Sequence, residues 1–423
     1  MTMRRITIVG TGQAGLTLGN LLRNAGHQVR MTGSMTSTEL RKGRPDLTQM
    51  SFPSTRRIEE EAGLYNRLDW LDAAPRLRGV DLSLRPGGGE DMTIASDWSG
   101  GWGLSVDRSV KIADWLDRYE DDWGSTTIHA MTTGDLDYML QTGMTELIVV
   151  ATGDSQLGRV FPIDAEHTAG ARRRAYAQAF VVGADHPGDR ILAASLPEGE
   201  VYLIPVLTTA GPVTSVLIGA RAGASALDCH ENDERTVPDD QVWERMMLRL
   251  VQHVPDFAGL CKDAVLADVD GPATVLTHVD PVVRRPVGYL ASDLPVLGMA
   301  DAVLTSDPVS CQGWGNSTRS AHIIADEIAK RGDAPFDAPW MQQVHDRFWH
   351  EAGRHAAAFS EMIDQFYAGT LPAHYLEVAG AATAYPEVAK RWNDAFDNPS
   401  DFANFLYSQD EARAYLAEVA ARA

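Results

Sequence analysis

Ile6-Thr7-Ile8-Val9-Gly10-Thr11-Gly12-Gln13-Ala14-Gly15 is a β-branched run broken by three glycines. Residues 4–9 are short, apolar and bounded at once by a turn, the pattern of a buried strand. Beyond the turn, Ala14, Leu16, Leu18, Leu21 and Leu22 keep helical spacing, and Ala25-Gly26-His27 closes that helix. Residues 28–32 then read as a second strand. Strand, glycine turn, helix and strand make a βαβ unit, which requires a parallel sheet. The spacing of Gly10, Gly12 and Gly15 fits G-x-G-x-x-G. The first glycine permits the tight turn, the second lets backbone approach a pyrophosphate, and the third lets helix pack on strand. Gln13 and Ala14 open the helix, whose free N–H groups and positive dipole end suit phosphate.

Such a unit ordinarily ends its second strand in an Asp or Glu that grips a ribose. Here the strand ends Val29-Arg30-Met31-Thr32-Gly33, so only the Thr32 hydroxyl is available. A neutral contact predicts a looser, exchangeable hold on the nucleotide.

A second signature lies far downstream. Leu294-Pro295-Val296-Leu297-Gly298-Met299-Ala300-Asp301-Ala302 reads as a buried strand running into Gly-x-Ala-Asp. Asp307-Pro308 and Gln312-Gly313-Trp314-Gly315-Asn316 follow, and then a helix through Ile328. This is what the second half of FAD needs. Asp301 at a strand end can bond the ribityl chain, Pro308 shapes the facing loop, and the Gly313, Gly315 and Asn316 helix start offers N–H groups. Val149-Val150-Ala151-Thr152-Gly153 adds a third strand end, bringing Thr152 and Gly153 into the set.

Between these signatures the chain is mixed. Residues 80–84 and 92–95 flank Pro86-Gly87-Gly88-Gly89 as a hairpin, and residues 110–123 form an amphipathic helix with Ile112, Trp115, Leu116 and Tyr119 inward. Residues 175–220, including 202–207 and 213–218, suggest an antiparallel sheet. After Asn316 the chain is mostly helical, and Ser408-x-x-Glu411 looks like a capping box. The fold class is α/β: a Rossmann-type FAD-binding domain with a parallel sheet, an interleaved antiparallel-sheet substrate domain and a C-terminal helical region. The expected FAD-binding segments are 1–80, 106–170 and 286–332. The substrate segments are 81–105 and 171–285, and the helical region is 333–423.

Length and composition agree. The 423 residues are 44% apolar and 22% charged, the range of a globular protein. No run of about 18 apolar residues occurs, so no membrane span is expected. Arg4 and Arg5 lead straight into a strand rather than an export signal. Cys229, Cys261 and Cys311 are too scattered for a disulfide framework or a zinc site, and a cytoplasmic location is expected. A net charge of -21 argues against nucleic acid or an anionic membrane as partner.

The glycine turns, together with Val106-Asp107, Ala151-Thr152-Gly153, residues 202–205, 281–284 and 298–316, resemble the flavoprotein monooxygenases of the aromatic-hydroxylase superfamily. More closely, the chain is similar to the oxygenase component of styrene and indole monooxygenases. The resemblance implies FAD as cofactor, reduced FAD delivered by a separate flavin reductase, and O2 as co-substrate. It implies a flavin hydroperoxide that epoxidises or hydroxylates a small aromatic or alkene, and epoxidation of an alkene or indole needs no strong general base. No catalytic side chain is assigned. Arg44 matches a family arginine near the flavin, but the Asn expected three residues later is Leu47, and Pro45-Asp46 replaces apolar residues. The family's Val-Asp-x-Arg is Val106-Asp107-Arg108-Ser109, with its arginine one position early. The substrate pocket is expected between residues 202–207 and the flavin, and a homodimer is compatible with all of this.

Two other readings stay open: a single-component hydroxylase reduced directly by NAD(P)H, and a non-catalytic flavin binder. Other clusters read blandly. His345, His350 and His355, five apart, suit a solvated helix face rather than a metal. Trp340, Phe348, Trp349, Phe359, Phe366 and Tyr367 read as helical core or a lid over the substrate. Arg172-Arg173-Arg174 reads as a solvated loop, and Cys311 carries no assigned chemistry.

Overall fold

The computed structural model describes residues 2–66, 68–122, 124–153, 156–168, 172–231 and 237–422. The opening unit forms as the glycine spacing requires. Strand β1 (Arg5–Val9) runs through the turn into helix α1 (Gln13–Asn24) and returns as β2 (Gln28–Gly33). β1 pairs β2 in parallel, Ile6 opposite Val29 and Ile8 opposite Met31. Two further parallel neighbours, Leu147–Val150 and Pro295–Gly298, extend the sheet on the other side of β1. Ser125–Ile128 and the antiparallel Val287–Tyr289 finish the two edges. Because the central strands are parallel, their carboxyl ends share one edge. The turn after β1, residues 151–153 and residues 299–301 therefore converge.

A second, larger sheet stands beside the first. Arg174–Val182, Gly211–Arg221, Gly199–Thr208 and Ile191–Leu196 pair antiparallel, and Thr274–Val279 adds to Arg174–Val182. The expected hairpin is Gly79–Leu84 with Met92–Asp97. It joins this sheet through one parallel pairing, with Ile191–Leu196. Strand Gly211–Arg221 carries Gly219 toward its end, a residue that weakens a strand and marks a place where something approaches closely.

Helix Arg108–Asp121 covers the stretch expected over 110–123, while Trp123 lies outside the described residues. Helix Gly313–Arg331 packs beside α1 on the parallel sheet, around Leu16, Leu22, Met31, Trp115 and Ile324. The C-terminal helices are a separate layer. Phe359, Val378, Trp392 and Phe402 bury against Val80, Ile94 and Ile204 of the second sheet. The last helix, Gln409–Arg422, opens where Ser408 predicts, and the Ser408 carbonyl accepts the Ala412 N–H.

Two expectations are corrected. His345 and His355 are not on a solvated face: both are buried, and only His350 is exposed. A π-helical turn, Trp349–Gly353, separates them, and its wider winding shifts the faces that a straight α-helix would present. Burial pushes the His345 imidazole down to about 4. Nor is Arg172-Arg173-Arg174 wholly a solvated loop: Arg174 begins a central strand and is fully buried. Among the described residues, no helix is long and apolar enough to cross a membrane, and no group of three His, Cys, Asp or Glu side chains could hold a metal.

Candidate active site

The three glycines of the first turn do three different physical jobs. Gly10 has φ +129, and a Cβ there would stand 2.3 Å from the Ala151 carbonyl oxygen. Its N–H bonds the Thr32 carbonyl at 2.8 Å, tying the turn to β2. A Cβ on Gly15 would lie 1.9 Å from the Gly10 carbonyl oxygen and touch Ile8, so α1 packs onto β1 only without one. Gly12, the N-cap of α1, has nothing within 4 Å of where its Cβ would be. Its backbone faces open space at the positive end of a helix, the arrangement that accepts a pyrophosphate.

The neighbouring strand ends complete this edge. Gly153 turns with φ +68, and a Cβ there would come 3.9 Å from the Asp301 Cβ. The Met299 N–H bonds the Val150 carbonyl, and Ala300 then takes a left-handed φ of 51. Asp301 opens on the cleft, yet the protein around it and the charge of Asp46 push its carboxyl up to about 6. Thr32 is buried, with an Oγ1 that has no partner among the described residues. Asn316 Oδ1 is in the same state, while its Nδ2 donates to Ser306 Oγ at 3.3 Å. Open space at Gly12, two partnerless buried oxygens and a carboxyl facing the cleft fit a polar dinucleotide along this edge.

Gln13 and Ala14 are buried. Gln13 turns its amide inward, to Glu59 and to Thr318 Oγ1 at 2.9 Å. Glu59 also accepts from Lys111 Nζ at 2.9 Å and from Ser51 Oγ at 2.9 Å, and it accepts the Tyr65 hydroxyl. Burial pushes the Lys111 ammonium down, against the pull of Glu59. This node ties α1 to helices Pro53–Glu61, Arg108–Asp121 and Gly313–Arg331, so the two glycine-rich helix starts are held to each other. The amide nitrogen of Gln13 is thus committed inward, while its Oε1 is buried without a partner among the described residues. Sequence reasoning missed Lys111, although a lone lysine beside Ile112, Trp115 and Leu116 was the available signal.

A cavity of about 450 Å³ extends from this edge between the second sheet and the C-terminal helices. Arg44, Asp301, Pro308 and Gly313 line it, bringing the downstream signature and the loop after β2 to one wall. Tyr202 and Ile204 line it too, from the strand where the pocket was expected. The wall in the C-terminal layer is aromatic and aliphatic, with Phe359, Phe366, Trp392 and Phe396 beside Ile363 and Leu376. Of the helical aromatics, Phe359 and Phe366 line this cavity, while Trp340 and Phe348 are buried in the core around the parallel sheet.

The sequence departures compensate one another. Arg108, one position early, donates to Asp46 Oδ2 at 2.6 Å and to the Arg44 carbonyl at 3.2 Å. The acid that replaces an apolar residue is therefore the partner of the displaced arginine. Thr48 holds the same loop to the second sheet, its N–H reaching Gln178 Oε1 and its hydroxyl reaching Ser215 Oγ at 2.8 Å. Leu47 lines the cavity as an apolar contact.

Residues 153–259 match the family model described as "Styrene monooxygenase A putative substrate binding domain". The styrene monooxygenase StyA of Pseudomonas fluorescens is 25% identical over 333 residues, covering 77% of each chain. These matches support the styrene monooxygenase oxygenase family. Among solved structures, the flavin-dependent brominase Bmp2 has a TM-score of 0.68 at 14% identity, with 100% of both chains covered. A flavoprotein/dehydrogenase from Cytophaga hutchinsonii has a TM-score of 0.66 at 16% identity, covering 99% of this chain and 98% of that one. The two structures share the fold with this chain.

Proposed function

We propose that this chain, a flavin-dependent monooxygenase of the styrene monooxygenase oxygenase family, uses reduced FAD from a separate flavin reductase, together with O2. Its reaction would be epoxidation or hydroxylation of a small, uncharged aromatic or alkene. The observation that carries the reading is the continuity of one cavity. It runs from Asp301, Pro308 and Gly313 at the strand ends to an aromatic chamber in the C-terminal layer.

Bound FAD would supply the oxygen activation, which is the cofactor's own chemistry. The chain's residues do the rest. Gly12 and the start of α1 would receive the pyrophosphate, while Gly10 and Gly15 shape that turn. Thr32 would serve the adenosine ribose, and the hydroxyl in place of an acid suits a flavin that arrives and leaves. Asp301 would accept from the ribityl hydroxyls, and Thr152 with Gly153 closes the neighbouring strand end. Gly313, Gly315 and Asn316 present a second helix start. Arg44 and Pro308 border the opening toward the substrate.

The apolar chamber does two things. It removes water from the reaction space, and it holds an electron-rich π-system by shape rather than by charge. An alkene or indole ring needs orientation more than proton transfer, so positioning is the chain's main contribution. The supporting experiment incubates the protein with reduced FAD, 18O2 and a panel that includes styrene and indole. One labelled oxygen atom should enter the product. If all reduced FAD ends as hydrogen peroxide across the panel, the reading is wrong.

A further inference from the structure

The loop between the two halves of the downstream signature is strained and is held from behind. Asp307 caps the short turn Pro308–Ser310, accepting the Val309 N–H at 3.1 Å, while its carbonyl accepts the Ser310 hydroxyl at 2.8 Å. Cys311 then takes a left-handed φ of 55, a strained conformation that a non-glycine residue keeps only where its surroundings enforce it. Pro308, Val309 and Cys311 all face the cavity.

Behind this wall sits a buried polar cluster. Arg174, at the start of a central strand, donates through Nη2 to both Glu200 carboxylate oxygens, one at 2.6 Å, and its Nε lies 3.5 Å from Asp307 Oδ2. The Tyr176 hydroxyl reaches Asp307 Oδ1 at 2.6 Å and Glu200 Oε1 at 3.1 Å. The Tyr367 hydroxyl of the C-terminal layer donates to Glu200 Oε2. The guanidinium also lies 4.9 Å from the Tyr367 ring centre. Arg174, Tyr176 and Glu200 are all at most 1% exposed.

Space for this cluster comes from a missing side chain. Gly219 pairs with both Tyr176 and Glu200, and a Cβ there would stand 2.1 Å from Glu200 Oε1 and 2.5 Å from the Tyr176 ring. Stability alone does not account for the arrangement, because apolar residues of similar volume usually hold a core at least as well as a buried ion pair. What the cluster adds is direction. It joins two strands of the second sheet, the cavity loop and the C-terminal layer at fixed hydrogen-bond angles.

We propose that Arg174 is a positioning residue. By its ion pair with Asp307, and through Glu200 and the Tyr176 hydroxyl that reaches Asp307, it pins the 307–311 turn as a closed cavity wall, which excludes water while oxygen is transferred. The consequence for catalysis rests on the proposed function; the pinning itself does not. Loss of the clamp would let the turn relax from its left-handed conformation and admit water, so oxygen transfer would be diverted to hydrogen peroxide.

The test has two independent readouts. The principal variant combines Arg174→Met with Glu200→Gln, which removes the hydrogen-bonded ion pair as a unit, less costly to folding than removing either partner alone, and leaves Asp307 its Tyr176 hydroxyl. Glu200→Gln alone and Arg174→Lys accompany it. The first readout is the rate at which a maleimide labels Cys311, followed by peptide mass spectrometry. Cys311 is half-buried with its thiol pushed up to about 12, so the wild type should label slowly. The double variant should label about tenfold faster, the change that about 1.4 kcal/mol of lost closure produces. Arg174→Lys should restore most of the protection, a rescue that a space-filling role would not require. The second readout is the division of reduced FAD between product and peroxide, which should move toward peroxide in the same order of variants. Wild-type labelling and partition in both the double variant and Glu200→Gln would overturn the proposal. A wild type that forms no product would defeat the functional reading, and the labelling arm would still decide the clamp.

Discussion

Two glycines in one turn should respond to the same substitution in opposite ways. Gly10→Ala places a methyl group 2.3 Å from the Ala151 carbonyl oxygen at φ +129. The backbone term costs about 1–2 kcal/mol. The clash adds about 1–3 kcal/mol, because the Ala151 carbonyl, one residue past the strand Leu147–Val150, is held by the Ala151 N–H bond to the Val9 carbonyl. Against a total stability of about 5–15 kcal/mol, Gly10→Ala should lower Tm markedly or prevent folding. Gly12→Ala meets nothing within 4 Å, and its φ of -85 is open to alanine. Its folding cost is that of a weaker N-cap, at most about 1 kcal/mol. If a pyrophosphate lies on this turn, however, the methyl group occupies the approach. Losing one or two charged hydrogen bonds costs about 1.5–3 kcal/mol. That corresponds to a Kd for FAD weaker by about ten- to a hundredfold. Thermal melts and titration by quenching of FAD fluorescence separate the two effects. A Gly12→Ala protein that melts near wild type and binds FAD equally well would refute the assignment of this turn to the pyrophosphate. A Gly10→Ala protein as stable as wild type would refute the packing argument.

Three further outcomes follow from the electrostatics. Asp301, pushed up to about 6, keeps a proton in the folded state that an ordinary carboxyl releases near about 3.9. Its contribution to the stability of the FAD-free protein is therefore lost as pH rises from about 4 to about 6. Asp301→Asn should flatten that slope in melts across this range, and an unchanged slope would count against it. His345 acts with the opposite sign: held neutral to about 4, it contributes stability above its unfolded value of about 6.5 that is lost on acidification. His345→Phe should gain on wild type as pH falls through that window, and a constant difference in Tm would show that the ring titrates normally. The Arg108–Asp46 pair is partly exposed, so a double-mutant cycle with alanines should give a coupling below about 1 kcal/mol. That coupling should shrink at high salt, and a salt-independent value would contradict the screened geometry.

Much of the fold was legible because its signals are local. Glycine spacing, the switch from strand to helical periodicity, and the strand that ends in Asp301 depend on residues close in sequence. The misreadings have physical causes. His345 and His355 looked solvated because regular α-helical winding was assumed, and the π-helical turn breaks it. Arg174 looked like the end of a charged loop because nothing nearby in sequence discloses Glu200 and Asp307. Leu47 and the early Arg108 looked like isolated departures, whereas Asp46 and Arg108 are partners across a loop and a helix.

The sequence by itself determined the βαβ unit, the second glycine-rich helix start and the polarity of the strands. These follow from backbone sterics and hydrophobic period, which act over a few residues. Only the tertiary structure decided which strand ends share an edge, where the aromatic chamber lies, and which buried charges meet. Those facts depend on contacts between residues far apart in the chain. A buried arginine or lysine is tolerated only where the fold brings its partner within hydrogen-bond reach, and a linear reading does not contain that distance.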